Sequence, residues 1–414
     1  MQQQSGFGSA EAVAPIKRVH VLGAGPVGLL LTALLQPLDG LSVRLYEKRR
    51  EYTRTRMVRL ASYLVADSVD GYRAGHFDGD NVEAVFDPAE LAQGLAFRQS
   101  IPPDLMALLR EWAQGFCPLN EIERSLSELI DARPSDSVER IAGAIGAEDA
   151  ISLLEPGDVL IDCTGSRSLL RDHLAPTSGE VEPDANTLNF VFEHALVITF
   201  LYSQDYSCNE YCKYYKNAEN PRYKFIPMVH RVSYDGNVSH VTGIVSITAE
   251  EYAAMPKQFN GEWLRGNFPS VAEAMDRFID KVRQESNGEI IGDLEIIRIP
   301  LNLYRARNAT SRQWRNAGPS THPFASAPVF LAGDSAIGSP YFQSISLGFE
   351  CAMSLAGLIA QRHSEPQDML DRYELYIYKQ WLRVYMQSKM IKHNKELFQT
   401  LDDPIALLDK LHIY

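Results

Sequence analysis

Three glycines in the spacing G-x-G-x-x-G separate a short β-branched run from a long apolar run near the start of the chain. They are Gly23, Gly25 and Gly28, in the stretch VLGAGPVGLLLTALLQ. The run before them, KRVHVL, is typical of a strand, and LLLTALLQPL after them is typical of a buried helix that ends at Pro37. The next run, LSVRLYEK, alternates like a half-buried strand. This order predicts a βαβ unit that binds a dinucleotide.

Each glycine of this turn has its own physical task. Gly23 permits the tight turn, Gly25 lets a pyrophosphate approach the backbone because no Cβ intervenes, and Gly28 lets the helix pack on the strand. The unpaired N–H groups at the start of the helix then face the phosphates. The candidate cofactor-binding residues of this turn are Gly23, Ala24, Gly25, Pro26, Val27 and Gly28.

An acidic residue ends the second predicted strand. Glu47 stands 19 residues after Gly28 and is followed by Lys48, and both are candidate cofactor-binding residues. A carboxylate at this place accepts hydrogen bonds from ribose hydroxyls and repels a 2′-phosphate. The adenosine half of the ligand is therefore expected to be like that of FAD or NAD rather than NADP. The motif by itself does not separate FAD from NAD.

Two later stretches accompany the glycine turn. PVFLAGD is an apolar strand that ends in Gly333 and Asp334, and GDVLIDCTGSRSLLR contains Thr164 and Gly165 after another strand. Together with the turn, these stretches resemble the FAD-dependent monooxygenases of the para-hydroxybenzoate hydroxylase fold superfamily. That superfamily also includes flavin-dependent halogenases, geranylgeranyl reductases and the actin-oxidising MICAL enzymes. The resemblance covers roughly residues 16–365.

The resemblance implies roles for residues near the end of the nucleotide-binding part. Asp334, beside Gly333, would hold the ribityl chain or the ribose of FAD. The loop at Pro340 and the start of the following helix, with Gly348, would face the flavin ring. Relatives usually carry G-x-G in this loop, whereas YFQSISLG contains only Gly348. Because a loop with fewer glycines is less permissive, the flavin pocket of this chain could be altered or partly closed.

Three more candidates come from the resemblance. Thr164 and Gly165 would stand where the chain returns to the nucleotide domain. Arg54, within YEKRREYTRTRMVRL, would take the place of a MICAL-type arginine that lies against the flavin nucleotide. Asn120 and Glu123 stand near positions where relatives carry Arg and Gln, and no role is assigned to them.

The predicted fold class is α/β. It consists of a Rossmann-like, glutathione-reductase-like FAD-binding domain, an inserted sheet-rich substrate domain and a C-terminal helical segment. The FAD-binding domain is discontinuous, with residues 16–175 and 325–362, the substrate domain is residues 176–324, and the C-terminal helices are residues 363–414.

The predicted C-terminal helices have one apolar face. Its residues recur at spacings of three and four, namely Leu375, Tyr378, Trp381, Leu382 and Tyr385. This face is expected to pack on the body of the protein, and the alternative is a homodimer contact.

Composition excludes several classes of function. Acidic residues outnumber basic ones by 53 to 40, and the resulting negative electrostatic field opposes binding to nucleic acid and to anionic membranes. No apolar run is long enough to span a bilayer, and the N-terminal residues do not have the pattern of a signal peptide. Five scattered cysteines indicate reduced thiols and a cytoplasmic location. Neither these cysteines nor the ten histidines have metal-site spacing, so no metal is expected.

These observations predict an FAD-dependent monooxygenase that hydroxylates or epoxidises a small aromatic or natural-product-like molecule with O2. Because the chain has a single G-x-G-x-x-G, NADPH or NADH would visit only transiently, or a separate reductase partner would reduce the flavin. One alternative is an FAD-dependent reductase or dehydrogenase without oxygen insertion. Another is a non-catalytic flavin-binding protein that acts by interaction. No catalytic side chain is named, because the flavin carries the redox chemistry.

Overall fold

The computed structural model describes residues 15–54, 57–75, 86, 88–133, 136–174, 186–203, 215–220, 222–231, 238–286, 288–316, 323–325, 327–340, 344–361 and 365–400. The chain divides into two units. The first unit is Met1–Asn189 with Tyr304–Met386, and the second is Phe190–Leu303 with Gln387–Tyr414. The domain bounds expected from the sequence stay a prediction.

Strands and helices alternate in the first unit, and strands predominate at the start of the second. The strands are β1 (Arg18–Leu22), β2 (Ser42–Glu47), β3 (Met57–Val58), β4 (Cys117–Pro118), β5 (Val138–Ala142), β6 (Asp158–Asp162), β7 (Thr187–Tyr202), β8 (Tyr215–Lys216), β9 (Lys224–Arg231), β10 (Ser239–Ile247), β11 (Ile290–Ala306), β12 (Val329–Leu331) and β13 (Ile337–Gly338). The described α-helices are α1 (Pro26–Leu35), α2 (Val69–Ala74), α3 (Pro88–Gln99), α4 (Pro103–Gln114), α5 (Leu119–Ala132), α6 (Ala147–Ser152), α7 (Ala249–Ala254), α8 (Gly261–Asn267), α9 (Pro269–Ser286), α10 (Arg312–Asn316), α11 (Ser344–Ala360) and α12 (Pro366–Thr400).

The first unit is built on a five-stranded parallel sheet. Its strand order is β12-β6-β1-β2-β5, and every neighbouring pair is parallel. All five residues of β6 are buried, as expected of a strand covered on both faces. The chain reverses its direction of travel across the sheet at β1, and ligands bind at such a reversal, beyond the carboxyl ends of the strands.

Helix α1 connects β1 to β2 and lies in the core. Pro26 occupies its first turn, where a missing N–H costs nothing, and residues from Gly28 to Leu35 are buried. The helix ends just before Pro37, as the sequence predicts. The predicted βαβ unit is therefore present.

The second unit contains an antiparallel sheet. Strand β10 pairs with β7 on one side and β9 on the other, β8 pairs with β9, and β11 lies beyond β7. Alternate residues of β10 are buried, so one face of the sheet covers a core. Phe278 of α9 packs in that core against Phe225, with ring centroids 5.3 Å apart. The expected α/β class is confirmed, and the structure contains one parallel and one antiparallel sheet.

The C-terminal segment contains the single long helix α12, and residues 401–414 lie outside the described part of the chain. Within the first unit, Leu375 and Tyr378 of this helix are 49% and 45% exposed. The expectation that the predicted apolar face packs on the body is therefore wrong at these two positions.

A different face of α12 is buried. It contains Tyr373 and Ile377, together with Glu374, whose carboxylate accepts the N–H groups of Ala309 and Thr310 at 2.9 and 3.0 Å. The buried face was mispredicted because hydropathy places charged residues in solvent. A carboxylate can nevertheless be buried when hydrogen-bond donors are buried with it. No helix among the described residues is long and apolar enough to cross a membrane.

Candidate functional site

The glycine turn has the geometry that its spacing predicts. Gly23 has φ +94°, and a Cβ on it would lie 2.9 Å from the carbonyl oxygen of Cys163. A Cβ on Gly28 would lie only 2.0 Å from the carbonyl oxygen of Gly23. Gly23 therefore supplies a conformation that other residues rarely adopt, and Gly28 lets α1 lie against the turn.

Gly25 forms the open end of helix α1. It is the N-cap residue, and no side chain caps the helix. A Cβ here would lie 3.6 Å from Nη2 of Arg54 and 3.9 Å from Nη2 of Arg49. Two guanidinium groups thus stand in front of a helix start that lacks a side-chain acceptor. Positive charge and helix N–H groups together favour an anion at this place.

Glu47 lies beside this turn and is held by Arg49. Its carboxylate accepts the Arg49 backbone N–H at 2.8 Å and a guanidinium N–H at 2.9 Å. Burial alone would raise the pKa of Glu47, but the hydrogen bonds and charge of Arg49 outweigh burial and lower this pKa. A backbone hydrogen bond from Ala24 acts in the same direction. Glu47 is therefore ionised and can accept hydrogen bonds at neutral pH.

Glu123 of α5 is a site residue to which the sequence analysis assigned no role. Its side chain is fully buried and forms ion pairs with Arg54 and, at 3.4 Å, with Arg49. Its second oxygen, Oε2, is buried and has no hydrogen-bond partner among the described residues. Glu123 lies on the buried face of α5 with Ile122 and Leu126. A charged residue on the apolar face of a predicted helix is the sequence signal that could have marked it as a site residue.

Asp162, at the end of β6, organises the next loop. It is fully buried, and its Oδ1 accepts Thr164 N–H at 2.8 Å and the Thr164 hydroxyl at 2.6 Å. Its Oδ2 accepts the Ser168 hydroxyl at 2.6 Å and Leu170 N–H at 2.9 Å. Ser335 donates to Oδ1 at 3.1 Å and so joins this loop to the segment after β12. In this structure the Thr164 hydroxyl forms a hydrogen bond within the loop, to Asp162.

Asp334 follows β12 and is half-buried. Its backbone carbonyl accepts a hydrogen bond from Tyr304 at 2.8 Å and one from Arg171 at 3.1 Å. Arg171 also donates to the Ser335 carbonyl at 2.8 Å. These bonds hold the backbone from which the Asp334 side chain extends.

A cavity of about 600 Å³ lies at the carboxyl ends of the parallel strands. It contains most of the residues that the sequence analysis singled out. Those that line it are Gly23, Gly25, Pro26, Val27, Glu47, Lys48, Arg54, Thr164, Gly165 and Asp334. Residues from four separate parts of the chain thus meet at one cavity.

Five candidates are not among the cavity-lining residues. Ala24, Gly28 and Pro340 are buried, while Gly333 and Gly348 pack around Val27. A Cβ on Gly348 would lie 2.6 Å from Cγ2 of Val27, and one on Gly333 would lie 3.0 Å from the same atom. Gly333 also has φ +60°. In this structure these two glycines allow close packing of the turn.

The sequence analysis also missed some cavity residues. Gly143, Ala144 and Ile145 follow β5, and Ser166 and Arg167 follow β6. The signal that could have found them is their position after strands, because the carboxyl ends of parallel strands meet at one edge of a sheet. Without the strand order, β5 could not be assigned to that edge.

The described cysteines are reduced and at least half-buried. Cys117, Cys163 and Cys351 are free, and burial raises the pKa of the Cys163 thiol, which leaves it protonated. Cys208 and Cys212 lie outside the described residues. Across the described ranges, no group of three or more His, Cys, Asp or Glu residues could hold a metal ion.

Comparisons with known proteins support the fold. No family model matches the sequence. No curated protein matches it either. Among solved structures, the chain is similar to p-nitrophenol 4-monooxygenase PnpA from Pseudomonas putida DLL-E4, with 13% identity, a TM-score of 0.52 and 96% of each chain covered. It is also similar to the Diels-Alderase PyrE3 of pyrroindomycin biosynthesis, with 16% identity, a TM-score of 0.51, and 95% of this chain and 79% of that chain covered.

At these identities the likeness shows the fold alone. The chain shares the fold of PnpA and PyrE3, and the resemblance found in the sequence is confirmed at the level of the fold. PyrE3 is a Diels-Alderase and PnpA is a monooxygenase, so proteins with this fold catalyse different reactions. The reaction must therefore be argued from the site.

Proposed function

We propose that the protein is an FAD-dependent monooxygenase that hydroxylates or epoxidises a small aromatic or natural-product-like substrate with O2 and NADPH or NADH. The observation that carries this proposal is the cavity of about 600 Å³, on which the glycine turn, Glu47 and the Asp334 segment converge. Its lining residues come from the ends of β1, β2, β5, β6 and β12, and this spread suits an extended dinucleotide better than a compact ligand.

The residues present fit the pyrophosphate of FAD. The start of α1 has no side-chain cap, and Gly25 leaves room for phosphate oxygens beside its backbone. Arg54 and Arg49 stand over that room and carry the opposite charge. A guanidinium matches the geometry of phosphate oxygens and forms charge-assisted hydrogen bonds with them.

The carboxylates fit the hydroxyls of the same cofactor. Glu47 is ionised and keeps acceptor capacity beyond its bonds to Arg49, so ribose hydroxyls can donate to it. Asp334 lines the same cavity and is proposed to accept hydroxyls of the ribityl chain or ribose. Bound FAD would supply the redox chemistry, while the chain binds it, orients it and excludes water.

The proposal is tested first by cofactor binding and then by turnover. Purified protein is reconstituted with FAD, and NADPH and NADH oxidation is followed with and without a panel of small aromatic compounds under 18O2. Substrate-dependent oxidation with labelled product is the expected result. Bound FAD without label in any product would instead support a reductase or dehydrogenase, or a partner-reduced enzyme. Failure to bind FAD would refute the proposal.

Two variants test the assigned ligands. We expect Glu47→Ala to weaken FAD binding by roughly 10–150-fold, because a charge-assisted hydrogen bond contributes about 1.5–3 kcal/mol. We expect Asp334→Ala to lose FAD while the fold survives. Melting temperatures of FAD-stripped wild type and variant are compared before and after FAD is added, since a ligand stabilises only what it binds. If stripped Asp334→Ala already melts far lower and FAD raises both proteins alike, Asp334 is structural.

A further inference from the structure

A second cavity lies in the first unit, away from the residues of the proposed FAD site. Its volume is about 170 Å³, and α3, the C-terminal half of α11 and the start of α12 line it. Its walls are mostly apolar, with Phe86, Leu91, Phe97, Met353 and Leu358 among the lining residues. An apolar cavity of about 150 Å³ holds one benzene molecule, so this space suits a single ring.

Arg98 places a cation at the wall of this cavity. Its side chain is only 8% exposed, and its one hydrogen bond among the described residues is to the Tyr63 carbonyl, at 3.1 Å. A guanidinium has five N–H donors. The Arg98 guanidinium also lies 4.6 Å from the ring centre of Tyr72, and its nearest carboxylate oxygen, on Glu350, is 3.8 Å away. A buried cation with this much unused donor capacity indicates a missing acceptor.

Glu350 does not supply that acceptor, because other donors engage its oxygens. Arg383 donates to Oε2 at 2.8 Å, and the Tyr72 hydroxyl donates to Oε1. Burial, and then the charge of Glu350, raise the pKa of Tyr72, so this hydroxyl keeps its proton. Arg383 and, at 3.8 Å, Arg98 thus share the single negative charge of Glu350.

The other charges at this cavity cancel in pairs. Glu90 lies at the wall and pairs with Lys379, while Arg372 lies at the wall and pairs with Asp368 at 3.5 Å. Because Arg98 and Arg383 share Glu350, one positive charge is in excess among the described residues around the cavity. An anion that enters would therefore meet this excess positive charge at Arg98, which is only loosely paired with Glu350.

We propose that this cavity binds a monocyclic carboxylate, with its ring between the apolar walls and its carboxylate on Arg98. A guanidinium binds a carboxylate through two parallel N–H···O bonds, which fixes both partners in orientation. The volume of about 170 Å³ suits a single ring better than a nucleotide or a multi-ring compound. The site is separate from the proposed FAD site, and its ligand need not be the substrate.

The experiment is calorimetric titration of the full chain with benzoate as the probe. Benzoate has about nine heavy atoms, and at the efficiency of drug-sized ligands its Kd is expected to be about 10 mM or tighter. Benzyl alcohol has a similar shape without charge. Loss of charge-assisted hydrogen bonds predicts binding weaker by roughly 10–150-fold for benzyl alcohol, and for benzoate with Arg98→Met.

Two glycines provide a blocking variant and its matched control. Gly94 of α3 lines the cavity, and Gly266 of α8 lies in the second unit; both are exposed and helical, and a Cβ on either meets no atom within 4 Å. We expect Gly94→Leu to fill the cavity and abolish benzoate binding, and Gly266→Leu to bind like wild type.

Three results would overturn the proposal. The first is wild-type protein that takes up no benzoate. The second is Gly94→Leu that binds benzoate as Gly266→Leu does, which would place the site elsewhere. The third is benzyl alcohol that binds as tightly as benzoate, which would remove the role of charge. The last measurement needs only wild type, so it decides the point even if Arg98→Met fails to fold.

Discussion

Replacement of Asp162 by Asn is the most informative single perturbation of the nucleotide-binding edge. The side chain is fully buried and accepts five hydrogen bonds, at distances from 2.6 to 3.1 Å. Asn has nearly the same shape, so the exchange creates neither a cavity nor a clash. It changes only the charge and replaces one acceptor oxygen by a donor NH2 group.

The structure allows the cost of this exchange to be estimated. Each oxygen of Asp162 accepts one backbone N–H, from Thr164 on Oδ1 and from Leu170 on Oδ2. A hydroxyl group can rotate and accept a hydrogen bond from the new NH2 group, whereas a backbone N–H can only donate. In either amide orientation one buried N–H loses its acceptor, which costs about 1–3 kcal/mol. Because the remaining bonds also lose their ionic character, we expect a total of about 3–5 kcal/mol.

The assay is urea unfolding of FAD-free protein, with the free energy of unfolding compared between wild type and Asp162→Asn. The matched control is Asp70→Asn, since the Asp70 side chain is 94% exposed and its loss is expected to cost less than about 0.5 kcal/mol. If Asp162→Asn is destabilised by less than about 1 kcal/mol, the five bonds do not hold the loop and the reasoning is refuted.

Two further predictions concern the same unit. Gly28→Ala brings a Cβ to within 2.0 Å of a backbone carbonyl, so we expect a loss of about 1–3 kcal/mol and weaker FAD binding; Gly94→Ala, which meets open space, is the control and should be neutral or stabilising in the same unfolding assay. His20 is buried between Tyr46 and Asp158, and burial lowers its pKa below 6.5 more than the Asp158 hydrogen bond raises it. The unfolded state therefore binds the proton more readily, and the contribution of His20 to stability is present above pH 6.5 and is lost as the pH falls through its folded pKa. The free energy of unfolding, measured as the pH falls below 6.5, should decrease more in wild type than in His20→Gln. Identical pH profiles for the two proteins would contradict a lowered pKa of His20.

The βαβ unit could be predicted from sequence because its signals are local. The three glycines, the β-branched run before them and the apolar run after them lie within one short stretch. The required conformation is also local, since the φ of +94° at Gly23 is a property of a single residue. Glu47 follows from the same stretch by its place at the end of β2.

The partners of that stretch could not be predicted with the same certainty. Glu123 pairs with Arg54 across 69 positions, and Asp162 accepts from Ser335 across 173. Such pairs depend on which strand ends become neighbours. Hydropathy also gave the wrong buried face for α12, because Glu374 is buried with hydrogen-bond donors from a distant segment.

The sequence by itself determined the kind of turn, the parallel α/β architecture around it and the residue types that suit a dinucleotide. Tertiary structure alone decided which candidates line the cavity and which, like Gly348, pack against Val27. It also decided that Arg98 is buried with spare donors beside an apolar cavity. The physical reason is that backbone conformation is set by neighbours in the chain, whereas burial and charge balance are set by neighbours in space.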